Sequence, residues 1–234
     1  MNHPAELAIN QYLEDATSGK SSMSEETIKQ IGTDVMDAMR RQFGGGNKRD
    51  EFRLRMSNIG KPTCQLWFAK NKPETALPKP TTFVMNMLLG DIVEAAFKGI
   101  IKEAGVPYED KDNFVTLELG GETIKGSYDL VMDGALDDVK SASDWSYRNK
   151  FASYDTLAKS DPFGYVGQLA GYTKATGKKV GGWWVVNKAN GNIKYVPADG
   201  LVLDNEIAKL EETVKTVNDN KFERCFEPVP ETFR

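Results

Sequence analysis

The chain has 234 residues, of which 40% are hydrophobic and 27% charged, a make-up that suits one soluble domain with a sizeable core, or one domain with a small appendage. A formal net charge of −4 argues against a protein that coats nucleic acid without selectivity, and no apolar run approaches the length of about 18 residues that spans a bilayer. The start, Met1-Asn2-His3-Pro4-Ala5-Glu6, lacks the basic opening and apolar stretch of a signal peptide, which points to the cytoplasm, where Cys64 and Cys225 would stay thiols.

The first fifty residues read as helical and separable. Pro4 to Ala16 is a short helix candidate, and Ser22-Met23-Ser24-Glu25 offers a capping box ahead of a longer helix. That helix carries Ile28, Ile31, Val35 and Met39 on one face, and Gly44-Gly45-Gly46 ends it. Residues 47–62 are a basic connection. From Arg40 to Lys61 seven basic residues stand against Asp50 and Glu51, a local +5 that leaves −9 for the remainder. Such a run is either a solvated linker or a phosphate-attracting strip on an acidic body.

Thr63 to Lys70 is a further short helix, and Pro73 to Pro80 a loop. Thr82 to Ala104 reads as a long helix, stopped by Gly105 and Pro107. Three strand candidates follow: Phe114–Leu119, Thr123–Met132 and Ala135–Ser141. Asp161-Pro162 supplies an N-cap and first-turn pair for a helix ending at Thr176 before Gly177. Val180–Lys188 and Asn192–Val196 form a hairpin around Asn190-Gly191. A last amphipathic helix uses Ile207, Leu210, Val214 and Val217. This order predicts an α/β or α+β domain, with helices against a mixed sheet, over residues 51–234 and a helical extension over 1–50.

The chemistry concentrates at Asp133-Gly134, a two-residue type I′ turn signal. If those residues are the whole turn, Met132 faces Ala135, Asp129 falls opposite Asp138, and Ser127 opposite Lys140. Asp138 and Lys140 share a face because they are two apart. Opposed like charges destabilise a sheet by about 0.2–1 kcal/mol, so a pair of aspartates there suggests a bridging cation. The alternative is a polar surface hairpin whose repulsion Lys140 relieves, and a one-residue bulge would break the register.

Glu94 stacks with Met87, Gly90, Phe97 and Ile101 on the apolar stripe of the long helix, where a carboxylate is costly unless paired or metal-bound. It either binds metal or pairs with Lys98. Tyr165, Gln168 and Tyr172 share one face of the later helix. Gly164, Gly167 and Gly171 line another, read either as close helix packing or as part of a site.

Glu94, Gly126-Ser127-Tyr128-Asp129, Asp138-Val139-Lys140 and Gln168-Leu169-Ala170-Gly171-Tyr172 together resemble the PD-(D/E)XK nuclease superfamily. The likeness is to the branch holding the RecB nuclease domain, lambda-type phage exonucleases and CRISPR-associated RecB-like nucleases. It covers about residues 55–200. It implies a restriction-endonuclease-like core with a mixed central sheet flanked by helices. It implies Glu94, Asp129, Asp138 and the Val139 carbonyl as ligands for one or two Mg²⁺ or Mn²⁺ ions, and Lys140 positioning the attacking water. Gln168 and Tyr172 would orient the lysine and the DNA strand, and Arg53, Arg55, Ser57, Ser141 and Arg148 would contact DNA. Many relatives carry histidine where Glu94 stands, and the sole histidine here, His3, is remote. Others hold an iron–sulfur cluster on four cysteines, and two thiols cannot make that site, so no cluster is expected.

The implied activity is metal-dependent exonucleolytic hydrolysis of DNA, in phage-type recombination or DNA degradation. An endonuclease of the same fold and an inactive DNA-binding scaffold are the alternatives, with an unrelated fold holding a structural ion as a third. The implied partners are DNA, a second copy of the chain and a single-strand annealing protein, in a cytoplasm that is the host's if a phage encodes the chain. No phosphate loop of the Gly-x-x-x-x-Gly-Lys type is present, so ATP hydrolysis would belong to another chain.

Overall fold

A computed structural model describes residues 3–44, 51–222 and 224. The expected helix end at Gly45-Gly46, the charges of Lys48, Arg49 and Asp50, and Cys225 lie outside them. The long elements follow the order the sequence predicts, with the second expected strand split in two and two short helices added over residues 144–159. Helices α1 (Pro4–Thr17), α2 (Glu25–Phe43), α3 (Thr63–Asn71) and α4 (Phe83–Glu103) precede strands β1 (Phe114–Leu119), β2 (Glu122–Ser127), β3 (Leu130–Met132) and β4 (Ala135–Ala142). Short helices α5 (Asp144–Arg148) and α6 (Tyr154–Lys159) lead to α7 (Tyr165–Thr176), β5 (Lys179–Asn187), β6 (Ile193–Pro197) and α8 (Leu203–Asn218). The fold is α+β: a mixed four-stranded sheet in the order β3-β4-β5-β6, flanked by helices, with β1 and β2 as a separate antiparallel pair.

The expected single strand 123–132 is two strands in two sheets. β2 is paired along its length with β1, Phe114 facing Ser127, while β3 pairs only with β4. The chain crosses between sheets at Tyr128-Asp129, and Asn113 fastens the crossing by donating to the Tyr128 carbonyl at 2.6 Å. Ser127 therefore does not face Lys140, which corrects that part of the expected register. The hairpin itself keeps it: Met132 pairs with Ala135 and Leu130 with Asp137. Asp133 and Gly134 both take positive φ, at 50° and 73°, as a type I′ turn demands.

β4 and β5 run parallel, joined by α5, α6 and α7, with a register shift between Leu136 and Asp138. The extra residue lies in β5, at Gly181-Gly182. A Cβ on Gly181 would stand 2.1 Å from Asp137 Oδ1, so only glycine lets that carboxylate tuck in.

Two apolar clusters cover the sheet's two faces. One joins Leu136, Trp183 and Val185 to Leu169 and Tyr172 of α7, to Leu210 and Val214 of α8, and to the β1–β2 pair. The other joins Val139 and Trp184 to Phe97 and Ile101 of α4 and to Ala5 and Ile9 of α1. Even-numbered residues of β4 thus face α7 and odd-numbered ones face α4. α1 packs into this second core, while α2 lies on α4 through Thr27 and Ile31, and Gly99 permits the approach, since its Cβ would stand 2.4 Å from Ile31 Cδ1.

Several details differ from expectation. Ser24, not Ser22, caps α2, by accepting from Thr27 N. Ile28 and Met39, expected on one apolar face, are about half exposed. α7 begins at Tyr165, after a left-handed Gly164, although Asp161 still caps it by accepting from Val166 N at 2.8 Å. Cys64, buried in α3, is disulfide-bonded, which overturns its expected free thiol. Among the described residues no helix is long and apolar enough to cross a membrane.

Candidate functional site

The start of β3, the middle of β4 and the α7 helix converge on a polar centre. Asp129 stands at the crossing between sheets and turns its Oδ2 to the backbone N–H of Val139, at 2.6 Å. Asp138, 4% exposed, is its neighbour, and the two carboxylates are in hydrogen-bond contact. Lys140 lies two residues on, on the same face. Its Nζ donates to Asp138 Oδ1 at 2.7 Å and sits 2.6 Å from Oδ2. Oδ2 nevertheless lacks a hydrogen bond of good geometry.

α7 closes the centre from one side. Gln168 Oε1 lies 3.5 Å from Lys140 Nζ, and the ammonium is 4.8 Å from the Tyr165 ring centre. Tyr172, buried, exchanges a hydrogen bond with Gln168. Gln168 and Tyr172 thus stand where the sequence expected them, and Tyr165 joins them. The glycines of α7 serve packing: a Cβ on Gly167 would stand 2.6 Å from Gly60 Cα.

The electrostatics follow from burial. Burial pushes the Asp129 carboxyl up to about 8, reinforced by the charges of Asp138 and Glu94. Burial also raises Asp138 against the pull of Lys140, with Glu94 adding to the rise. For Lys140 burial works against the charge, but Asp138 and Asp129 outweigh it, so the ammonium is held more firmly than in water. Burial and the two aspartates raise the Tyr172 phenol. Two carboxyls thus share one buried patch with a single ammonium, and Asp129 keeps its proton near neutral pH unless a further cation joins them.

Of the two roles the sequence left open, Glu94 takes the pairing with lysine. It pairs with Lys98 at 2.8 Å, and its charge reaches both aspartates. It borders a cleft of about 900 Å³ between α2, α4 and residues 105–111. The expected core-facing stripe holds at Phe97 and Ile101, which are buried, but not at Met87, which is 45% exposed. Among the described residues no three His, Cys, Asp or Glu side chains stand grouped to hold a metal ion. Asp129 and Asp138 form the assembled part of the expected set; Glu94 is turned to Lys98. The donors present are hard carboxylate oxygens, which suit Mg²⁺ or Mn²⁺, and a cation taking the place of the proton that burial makes these carboxyls keep fits there.

The expected DNA contacts are dispersed. Ser141 adjoins α4 at Gly90. Arg53 and Arg55 are exposed on a segment that bridges to Lys125 of β2, and Ser57 is exposed just beyond. Arg148 pairs with Asp144 at 2.9 Å, on the surface. Sequence reading passed over Asp137, a buried carboxylate that burial pushes up to about 6; the glycine pair in β5 was the available signal. It also passed over Lys150 and Phe163, aromatic–cation neighbours of Tyr165, for which no pattern pointed the way.

No protein-family model matches the chain, and no curated protein matches it. A solved structure described as "Crystal structure of SSO0001" is similar over 78% of this chain and 84% of its own, with a TM-score of 0.45 and 12% identity, a likeness too slight to argue from.

Proposed function

We propose that the chain is a metal-dependent deoxyribonuclease of the PD-(D/E)XK type, acting as an exonuclease. The observation that carries this reading is the meeting of Asp129 and Asp138 in a buried patch with Lys140 held across them. Two carboxyls buried side by side ionise together only when a further cation joins Lys140, and a hard divalent ion suits their oxygens. Gln168 and Tyr172 against the lysine add support, as does the order of the parts along the chain.

Asp129 and Asp138 would hold Mg²⁺ or Mn²⁺, joined by the Val139 carbonyl and by Glu94 once it leaves Lys98. Such an ion polarises a phosphoryl oxygen and lowers the pKa of a bound water. The chain's own contribution is positional. Asp138, Gln168 and the Tyr165 ring fix the Lys140 ammonium, so it meets the phosphate or the attacking water already oriented, with its charge undiminished. DNA as substrate implies a cytoplasmic site of action, the host's if the chain is phage-encoded; a disulfide at Cys64 is unusual for that compartment. A second copy and an annealing protein remain the proposed partners.

A second reading, a DNA-binding protein without catalysis, draws on the Glu94–Lys98 pair, which satisfies the third carboxylate without a metal. Incubation of linear and circular DNA with Mg²⁺, Mn²⁺ or EDTA, for wild type and Lys140→Ala, separates the readings. Metal-dependent loss of linear DNA only, absent in the variant, is the expected result. Nicking of circles would make it an endonuclease, and binding without cleavage would favour the second reading.

A further inference from the structure

Beside the polar centre stands a ladder of rings that the chemistry above leaves unused. Phe163 stacks on Tyr165 with centroids 5.5 Å apart and planes 15° from parallel, and Phe151 stacks behind Tyr165 at 5.9 Å. Phe151 is buried, whereas Phe163 is 55% exposed. Lys150 Nζ lies 4.4 Å from the Phe163 centre and 4.7 Å from that of Tyr165. It is nearer to each ring than the rings are to each other, so it bridges the two, and Phe163 keeps more than half of its surface in solvent. The ladder ends at the Lys140 ammonium, 4.8 Å from Tyr165.

The loop that presents Phe163 is held fast. Gly164 donates its N–H to the Asp161 carbonyl at 3.1 Å, and Asp161 accepts from Val166 N at 2.8 Å. Gly164 also lies against Gly60 so closely that a Cβ on it would stand 2.2 Å from the Gly60 carbonyl carbon. An aromatic ring half in water on a braced loop, one step from a cation over a buried acidic centre, has the chemistry of a surface for flat, apolar-faced ligands with an anionic tether.

We propose that Phe163, backed by Tyr165 and flanked by Lys150, is a stacking platform for one unpaired nucleobase of the DNA strand whose phosphate reaches Lys140, and that the chain therefore acts on single-stranded DNA or frayed ends. In a duplex both faces of an internal base are already stacked, so the ring is available only to a base that has been released. The two lysines flank that base with positive charge for its phosphates. Burial lowers the Lys150 ammonium and Asp161 alone opposes this; no carboxylate forms an ion pair with it among the described residues.

This inference rests on the nuclease reading, and its test keeps the two apart. Binding of a fluorescein-labelled oligothymidine is measured in EDTA, where no cleavage occurs, alongside the same sugar–phosphate strand with abasic sites. Wild type should bind the base-bearing strand about tenfold more tightly, since stacking of a base on an aromatic ring is worth a factor of about five to a hundred. Phe163→Ala should bring that ratio close to one, and Phe163→Trp should keep or raise it. An unchanged ratio in Phe163→Ala, or equal binding of both strands by wild type, would overturn the platform. Metal-dependent cleavage is scored separately. Cleavage without base-dependent binding sinks the platform alone, and base-dependent binding without cleavage sinks the hydrolytic reading alone.

Discussion

Asp137 and Asp138 are adjacent, both buried, and opposite in meaning. Asp137 faces α4 and is fully served by neutral donors: Gly182 N at 2.8 Å and Tyr195 OH at 2.8 Å on Oδ1, and Trp184 Nε1 at 3.3 Å on Oδ2. Asp138 faces α7, meets a second carboxylate, and is served by one ammonium that leaves Oδ2 without a proper hydrogen bond. A carboxylate ringed by neutral donors ties three elements together and asks for nothing further. A carboxylate set against another of its kind is stable only with a proton or a cation between them. Under the proposed function, the contrast gives structure to one face of β4 and chemistry to the other.

The sharpest way to break that contrast is to remove charge from one face and donors' partner from the other. Lys140→Met keeps the apolar stem and deletes the ammonium. It should lower cleavage by about a hundredfold or more, the scale of losing one preorganised charge at a reacting phosphate. Asp137→Ala should do the reverse. It strands three buried donors, a loss of about 3 kcal/mol in stability, seen as a lower Tm, while kcat corrected for folded protein stays within about twofold. If Asp137→Ala abolishes cleavage at full folding, the division of faces is wrong.

The pH dependence of stability sharpens the same point. The Asp129 carboxyl sits at about 8 in the folded chain against an ordinary 3.8. Its favourable contribution is therefore complete below about pH 4 and is lost as pH rises through 8, because the unfolded chain gives up its proton first. Asp129→Asn removes that loss. In EDTA the variant should melt above wild type near pH 8.5, with the gap closing towards pH 5. A smaller total loss from Asp137, raised to about 6, should survive in the variant between about pH 4 and 6. Parallel melting curves for the two proteins would show that Asp129 is not strained by its neighbours.

Much of this was legible in the residues. The Asp133-Gly134 turn set a register that the hairpin keeps, since φ is positive at both turn residues and little else could follow. The long helix α4 and the stop of α7 at a left-handed Gly177 followed from periodicity and glycine. The break at Tyr128-Asp129 was not legible, because each half of the run has good strand character and only the choice of partner, β1 or β4, separates them. Nor was the burial of Asp137 beside Asp138 legible: alternation turns the two to opposite faces, and both are buried because helices cover both faces of β4, with Gly181 making room for Asp137. The set Glu94, Asp129, Asp138, Lys140, Gln168 and Tyr172 was legible as a list, but the turning of Glu94 to Lys98 was a choice between two satisfactory partners that spacing alone could not decide.

A fourth aspartate, just past the end of β4, supplies the smallest effect. Asp144 caps nothing buried; it accepts from Asn187 Nδ2 at 2.9 Å and pairs with Arg148 at 2.9 Å, and the Asn187 hydrogen bond, then Arg148, holds its carboxyl below the usual range. Deleting Arg148 leaves the Asn187 bond, which is the one that fastens α5 to β5. Arg148→Ala should therefore shift Tm by no more than about 2 °C, as exposed pairs do. Its guanidinium is already occupied, so DNA affinity should fall by less than about threefold, and the slope of log affinity against log salt should hardly move. A drop of about 0.9 in that slope is the signature of one lost phosphate contact. Finding it would mean that Arg148 leaves Asp144 for DNA, and that the surface beyond β4 belongs with the chemical face of the strand rather than with its scaffold.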